Sequence, residues 1–326
     1  MPCPKMTVAP MMERTDRHFR TLIRLLSRRT LLVTEMVTTH ALIHGDVPHH
    51  LYFGAQEHPL SLQLGGDDPQ ELAHCVRLAH EWGYDEVDLN VGCPSSRVQR
   101  GSFGVVLMGR PERVRDCVVA MREASPLPVT VKHRIGFDDR DAYEDMLNFV
   151  DVVSEAQPAR FQVHARKAWL QGLSPKENRN VPPLRYAEVR RLKAERPELD
   201  IVINGGIKTL AECQAHLEHV DGVSLGRAAW DTPYLYAGVD AALYGDDWTA
   251  PTRHELVRQM AEYAEGELTR SPRTRLGHIA KGMLNLFHGI PGGRRWRRIL
   301  TEKGHLPGAG PGLLLEALEA IPEGSV

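Results

Sequence analysis

Short β-branched, apolar runs recur along the chain at intervals of roughly 25 to 35 residues, and the stretches between them carry apolar residues at helical spacing. Eight runs stand out, at residues 6–9, 31–35, 60–64, 86–90, 129–132, 161–164, 201–204 and 222–225. The windows Pro69–Trp82 and Pro111–Ala124 show the intervening pattern best. Leu72, Cys75, Val76 and Ala79 share one helical face, as do Val114, Cys117, Val118 and Met121, and each window starts on a proline suited to a first helical turn. Strand and helix in alternation build βα units on a parallel sheet, and eight units close a TIM (β/α)8 barrel, an α/β fold. An open doubly wound sheet would put a glycine-rich turn after its first strand, where this chain has Ala9-Pro10-Met11-Met12.

The rhythm stops near Asp246. Residues 253–268, 278–287, 294–303 and 312–321 then read as helices parted by Pro and Gly, which predicts a barrel domain at 1–246 and a small helical bundle at 247–326. Within the barrel portion, a polar insertion at 167–184 is long for a compact domain, and such loops are commonly functional.

Composition narrows the class. The 326 residues are 42% apolar and 25% charged, with 28 Gly and 22 Pro spread throughout, as in ordinary folded proteins. No run of about 18 uncharged apolar residues occurs and no signal-peptide pattern precedes Met6, so a cytoplasmic protein without membrane association is expected. Five scattered cysteines without a Cys-x-x-Cys pair predict neither a disulfide framework nor a metal site; a monomer is the default expectation. The formal charge of −2 is unevenly spread: residues 248–326 hold 11 Lys and Arg against 8 acidic residues, while the remainder holds 29 against 34. A basic tail on an acidic body hints at a nucleic-acid partner.

In a barrel of this kind, functional groups gather at the C-terminal ends of the strands. Those ends read Pro10, Glu35, Gln63, Asn90 with Cys93, Lys132 with Arg134, His164 with Arg166, Asn204-Gly205-Gly206, and Gly226-Arg227. One polar strand end is explained equally well by nearby water, but so many around one mouth point to a site. Glycines at 205, 206 and 226 let backbone N–H groups close on a phosphate beside a helix N-terminus, where this architecture binds phosphates. A phosphate there, with Gln63, Lys132 and His164 at neighbouring strand ends, resembles the constellation of flavin mononucleotide (FMN) barrels. Lys132 would offset the negative charge that a reduced flavin gathers near N1 and O2, and Gln63 would donate to and accept from the pyrimidine edge. The bland alternative for His164 is a core histidine satisfied by its neighbours.

Cys93 is the sharpest candidate. Cys75, Cys117 and Cys213 fall in helical stretches and Cys3 in a terminus, whereas Cys93 follows a strand end in a loop bounded by Gly92 and Pro94. A free thiol, with an ordinary pKa of about 8.5, is mostly protonated at pH 7 and can give a proton to a carbanion as well as act as a nucleophile. With no histidine in the loop, proton donation fits better.

Asn90-Val91-Gly92-Cys93-Pro94-Ser95, followed by Val98-Gln99, Gly101 and Phe103-Gly104, resembles the active-site signature of the tRNA-dihydrouridine synthase family. Thr15-Asp16-Arg17-His18, Thr34-Glu35-Met36, Leu62-Gln63-Leu64-Gly65-Gly66, Val163-His164-Ala165-Arg166, Ser174-Pro175-Lys176-Glu177-Asn178-Arg179, Ile203-Asn204-Gly205-Gly206-Ile207, Leu284-Asn285-Leu286-Phe287 and Trp296-Arg297-Arg298 are similar to its A subfamily. The resemblance runs from about Met6 to about Leu300. It implies an enzyme that reduces uridines in the D-loop of tRNA, at positions 20 and 20a, to 5,6-dihydrouridine. FMN recharged by NADPH would supply hydride to C6 of the uracil, and Cys93 a proton to C5. It also implies that Pro10, Met11, Met12, Gln63, Lys132, His164, Asn204, Gly205, Gly206, Gly226 and Arg227 hold the cofactor. Asn90, Lys132 and Arg166 would lie near a base extruded from its stack, with Arg97, Arg134, Lys176, Asn178 and Arg179 as further RNA contacts. Arg294, Arg295, Arg297 and Arg298 surround Trp296, which offers charge for phosphates and a ring for stacking; the competing reading is a solvated face with Trp296 in a local core.

Two positions depart from the family pattern. Val105-Val106 stands where smaller or thiol-bearing residues are usual, and His133 stands beside Lys132, expected on the opposite strand face. Two rival functions remain: a flavin barrel acting on a free pyrimidine, and a noncatalytic tRNA-binding protein.

Overall fold

The structure, a computed structural model, describes residues 2–271 and 273–324, except for the side chain of Arg97. Among the described residues, nine strands run in chain order: β1 (Met6–Val8), β2 (Leu32–Val33), β3 (Val37–Thr38), β4 (Leu60–Gly65), β5 (Glu86–Val91), β6 (Val129–Arg134), β7 (Arg160–His164), β8 (Ile201–Asn204) and β9 (Gly222–Leu225). All lie in one sheet of order β1-β9-β8-β7-β6-β5-β4-β2, with every pairing parallel and β3 attached to β4 off this path. Val8 N donates to Leu31 O and Leu31 N to Met6 O, each at 3.0 Å, which brings β1 to the start of β2 and nearly closes the barrel. The eight strands expected from the sequence are the eight staves; the short β3 was not expected.

Strand alternation sorts the side chains. On β5, Val87, Leu89 and Val91 face one way and Glu86, Asp88 and Asn90 the other. The apolar face is covered by helices. In helix Pro69–Trp82 the residues Leu72, Cys75, Val76 and Ala79 are buried, and in helix Pro111–Ala124 so are Val114, Cys117, Val118 and Met121. Asp68 caps the first of these helices by accepting from Gln70 N and Glu71 N, and Gly83 ends it in a left-handed conformation. His133 also faces this layer, its ring 5.0 Å from that of Phe149 in helix Tyr143–Ser154.

Two compact units emerge from the pattern of contacts. One holds residues 1–12 and 31–226, the other residues 13–30 and 227–326. The second is helical, with Arg17–Leu26, Arg227–Asp231, Val239–Tyr244, Arg253–Arg270, Leu276–Ala280, Gly293–Lys303 and Gly312–Leu318 among its elements. Helix Arg17–Leu26 joins it through specific bonds: Arg17 pairs with Glu267 at 2.8 Å, His18 Nδ1 meets Tyr263 Oη at 2.8 Å, and Arg28 N donates to Asp240 at 2.7 Å. The continuous helix expected at 278–287 is instead a helix ending at Ala280, followed by a 3-10 turn over Lys281–Met283. Gly282 sits where a Cβ would come within 3.0 Å of the Phe19 ring, so close packing shapes this segment. Among the described residues, no helix is long and apolar enough to cross a membrane.

Candidate active site

The polar faces of the strands fill the barrel with layers set by position along each strand. Hydrogen bonds between strands that are not neighbours in the sheet must cross this interior. In the layer nearest the strand N-termini, Arg160 of β7 meets both carboxylate oxygens of Glu86 of β5 at 2.6 Å. One layer up, Gln162 Nε2 donates to Ser224 Oγ at 2.9 Å, Thr130 Oγ1 to Asp88 Oδ1 at 2.8 Å, and Gln63 Nε2 to Asp88 Oδ2 at 2.7 Å. Toward the strand C-termini the register sets Asn90 opposite Lys132, and two residues further on sets His164 between Arg134 and Asn204.

The top layer differs in one respect. Among the described residues, Lys132 Nζ makes no hydrogen bond or ion pair, and the imidazole of His164 makes no hydrogen bond. Desolvation pushes the Lys132 ammonium down to about 8, with Asp88 opposing and Arg134 assisting the shift. His164 is driven well below its usual range, first by burial and then by the cations Arg134, Lys132 and Arg166, which leaves it neutral at pH 7. Lys132 and His164 are half-buried, and a cation so placed, with no ion pair of its own, gains from an anionic ligand.

The glycines beside this layer are not equivalent. Gly205 and Gly206 have φ of 122° and 73°, and a Cβ on Gly205 would lie 2.8 Å from the His164 ring. Tyr186 Oη donates to Gly205 O at 2.6 Å, and Asn204 Nδ2 to Ser224 O at 2.7 Å, fixing the turn from below. Gly226 is under no such demand, since a Cβ there would meet Met11 Sδ at an ordinary 3.6 Å. Arg227 opens helix Arg227–Asp231 of the second unit. Pro10 and Met11 are half-buried, and Met12 is exposed. A turn of two positive-φ glycines, a neutral imidazole and an ammonium without an ion pair have the chemistry to fit an anionic cofactor.

Cys93 is held by its backbone. Asn90 Oδ1 accepts from Gly92 N at 3.2 Å and from Cys93 N at 3.0 Å, closing an Asx turn at the end of β5. Val105 N donates to Cys93 O at 3.0 Å, so the departure at Val105 lies directly against this loop, its side chain fully buried. Gly104 has φ of 74°, and a Cβ there would stand 2.6 Å from Cys93 O. Arg134 Nε donates to Gly92 O at 2.9 Å. The Cys93 side chain is half-buried, whereas Cys75, Cys117 and Cys213 are buried and their thiols are pushed up to about 12 by desolvation.

The expected RNA contacts divide. Lys176 and Arg179 are exposed on the 167–184 loop, as are Arg294, Arg295, Arg297 and Arg298 on helix Gly293–Lys303. Asn178 is fully buried: its side chain accepts from Trp169 N at 2.7 Å and donates to Trp169 O at 2.9 Å, so it folds the loop on itself. Arg134 is buried too, and its Nη1 reaches Lys167 O at 3.1 Å and Asn178 O at 3.2 Å, tying this loop to the Cys93 loop. Arg166 donates to Asn180 O and Pro182 O of the same loop. Arg97 lies in helix Ser96–Arg100, its side chain outside the described residues. Trp296 is no stacking platform: it is fully buried, 5.0 Å edge-on from Phe287, and Nε1 donates to Met283 O at 3.2 Å. Sequence reading missed Asp88 and Thr130; polar residues at every second position of β5 and β6 were the available signal.

The chain matches a family model described as dihydrouridine synthase (Dus) over residues 7–321. It is 54% identical over 315 residues to a tRNA-dihydrouridine(20/20a) synthase from Synechocystis sp., covering 97% of this chain and 94% of that protein. The protein of that name from Vibrio parahaemolyticus is 52% identical over 320 residues, covering 98% and 97%. The Escherichia coli K12 protein is 52% identical over 320 residues, covering 98% and 92%. Among solved structures, a 2-naphthoyl-CoA reductase in complex with 2-naphthoyl-CoA matches with a TM-score of 0.55 and 11% identity, over 76% of this chain and 51% of that one, a likeness of fold alone.

Proposed function

The chain belongs to the dihydrouridine synthase family, and from there we propose that it reduces uridines 20 and 20a of the tRNA D-loop to 5,6-dihydrouridine, with FMN as cofactor and NADPH as reductant. The family is flavin-dependent and generally uses NADPH. What supports the reading for this chain is Lys132, which makes no hydrogen bond or ion pair among the described residues, one strand from the Cys93 loop that Asn90 clamps.

Each residue then has a task. The N–H groups around Gly205 and Gly206 would hold the cofactor phosphate, and Asn204, Gly226, Arg227, Pro10, Met11 and Met12 would complete the cofactor set. Lys132 Nζ would offset the negative charge that a bound flavin gains on reduction. Gln63, with one amide N–H committed to Asp88, keeps its second for the pyrimidine edge. When bound, the reduced flavin supplies a hydride to C6 of the uracil. Cys93 Sγ gives its proton to C5, so the C5–C6 double bond becomes single and a thiolate remains, to be reprotonated from water.

The uridine reaches this layer only when flipped out of the tRNA, with Asn90 and Arg166 near the base. We assign the chemistry to residues 1–246 and the RNA grip to 247–326, where Arg294, Arg295, Arg297 and Arg298 meet phosphates, assisted by Lys176 and Arg179 from the loop. Arg134 and Asn178 serve by bracing loops. The setting is the cytoplasm, where tRNA is modified. Mass-spectrometric mapping of tRNA from cells lacking the protein tests the proposal: dihydrouridine should vanish at positions 20 and 20a and return with the wild-type gene. Unchanged dihydrouridine at both positions would overturn it.

A further inference from the structure

An unbroken line of hydrogen bonds runs from the barrel interior to the Cys93 loop. Gln63 Nε2 donates to Asp88 Oδ2 at 2.7 Å, and Asn90 Nδ2 donates to Gln63 Oε1 at 2.9 Å. Asn90 Oδ1 then accepts from Gly92 N at 3.2 Å and from Cys93 N at 3.0 Å. A chain of side-chain amides can run in either sense, because each amide offers both a donor and an acceptor, unless something at its ends decides. Here both ends decide. The Asp88 carboxylate only accepts, and the backbone N–H groups of Gly92 and Cys93 only donate. Each amide between them must turn its NH2 toward Asp88 and its carbonyl toward Cys93.

The setting makes the sense matter. Gln63, Asp88 and Asn90 are 1%, 4% and 8% exposed, so a reversed amide would press donor on donor or acceptor on acceptor in a buried setting. Thr130 Oγ1 holds the other Asp88 oxygen at 2.8 Å, which fixes the carboxylate in turn.

We propose that Asp88 is a positioning residue that acts through Gln63 and Asn90, setting the direction of the amide chain that holds the Cys93 loop for proton delivery. This rests on the reading of Cys93 as the proton donor and adds the group that orients it. A simpler role, counter-charge for Lys132, predicts different behaviour.

The test exchanges donors and acceptors. Gln63→Glu sets two carboxylates face to face and breaks the chain. Gln63→Glu with Asp88→Asn restores a donor against an acceptor, with the carboxylate introduced at position 63 still accepting from Asn90. Asp88→Asn alone keeps the sense, its carbonyl facing Gln63 and its NH2 facing Thr130, but removes the charge. Two readouts report the loop without turnover: alkylation of Cys93 by iodoacetamide, and hydrogen exchange at residues 90–94, compared at matched flavin occupancy. Gln63→Glu should change both rates by about tenfold, and the double variant and Asp88→Asn should lie within about threefold of wild type. In tRNA turnover, Gln63→Glu should lower kcat with KM for tRNA unchanged. Folding of the double variant where Gln63→Glu alone fails to fold would be the same compensation. An unaltered loop in Gln63→Glu, a double variant that is no better or does not fold, or an Asp88→Asn loop as disturbed as Gln63→Glu would overturn the proposal. None of these outcomes touches whether Cys93 is the donor, which is read from uridine reduction.

Discussion

Arg160 and Lys132 are cations on adjacent strands inside one barrel, and their surroundings are opposite. Arg160, near the strand N-termini, grips both oxygens of buried Glu86 at 2.6 Å. Burial works against its charge, and Glu86 more than offsets this, leaving the guanidinium above its ordinary range. Lys132, near the C-terminal ends, has no such partner among the described residues and is pushed down to about 8. A cation with its counter-ion already in place serves the fold. A cation without one, in the function proposed, meets an anionic ligand.

Removing one member of each arrangement should give effects of opposite sign. Glu86→Ala strands Arg160 in the interior and should destabilise the protein by about 3–5 kcal/mol, read from urea unfolding. Lys132→Met removes an uncompensated charge, so the cofactor-free protein should be as stable as wild type or more so, while FMN affinity falls by about tenfold or more, the scale of one charge-assisted hydrogen bond. A Lys132→Met protein as unstable as Glu86→Ala would break the contrast.

The contrast also has a pH signature. Lys132 binds its proton more weakly folded, at about 8, than at its ordinary 10.5, so between those values the unfolded chain holds more protons and stability rises with pH. The penalty is fully present below pH 8 and relieved toward 10.5. Buried thiols titrate nearby with the opposite sign, so the quantity to measure is the stability of cofactor-free wild type minus that of Lys132→Met. That difference should climb across this window; a flat difference would place Lys132 in water.

The smallest effect belongs to the exposed arginines. Arg297→Ala with Arg298→Ala should leave unfolding within about 0.5 kcal/mol of wild type, yet weaken tRNA binding and lower its salt slope by about one for each phosphate no longer neutralised. Neutralising charge is cleaner here than deleting residues 247–326, because helix Arg17–Leu26 is bonded to Glu267 and Tyr263 of that segment. An unchanged salt slope would remove these residues from the RNA surface.

Much of the barrel was legible because its signals are local. A β-branched run, a proline at a helix start, Asp68 and Gly83 at the two ends of one helix: each is settled within a few residues. The position of Gln63, Asn90, Lys132, His164 and Asn204 near strand ends was legible for the same reason. Partners were not, since Gln63 and Asp88 meet only through a strand register across 25 residues, and Arg28 and Asp240 across 212. Polar identity also misled where burial decides function. Asn178 and Trp296 both have the chemistry of RNA contacts, and both are enclosed with their polar atoms spent on the backbone around them. The two-residue β3 and the break at Gly282 depend on what packs beside them, which no local pattern records.

In the function proposed, Cys93 delivers the proton while other residues hold the cofactor and the RNA. A single-turnover experiment with Cys93→Ala tests it most directly: the flavin is reduced, tRNA is added, and dihydrouridine at positions 20 and 20a is followed by mass spectrometry. Flavin content and tRNA affinity should match wild type, with uridine reduction slowed by about 100-fold or more. Reduction at the wild-type rate with the thiol absent would contradict the account.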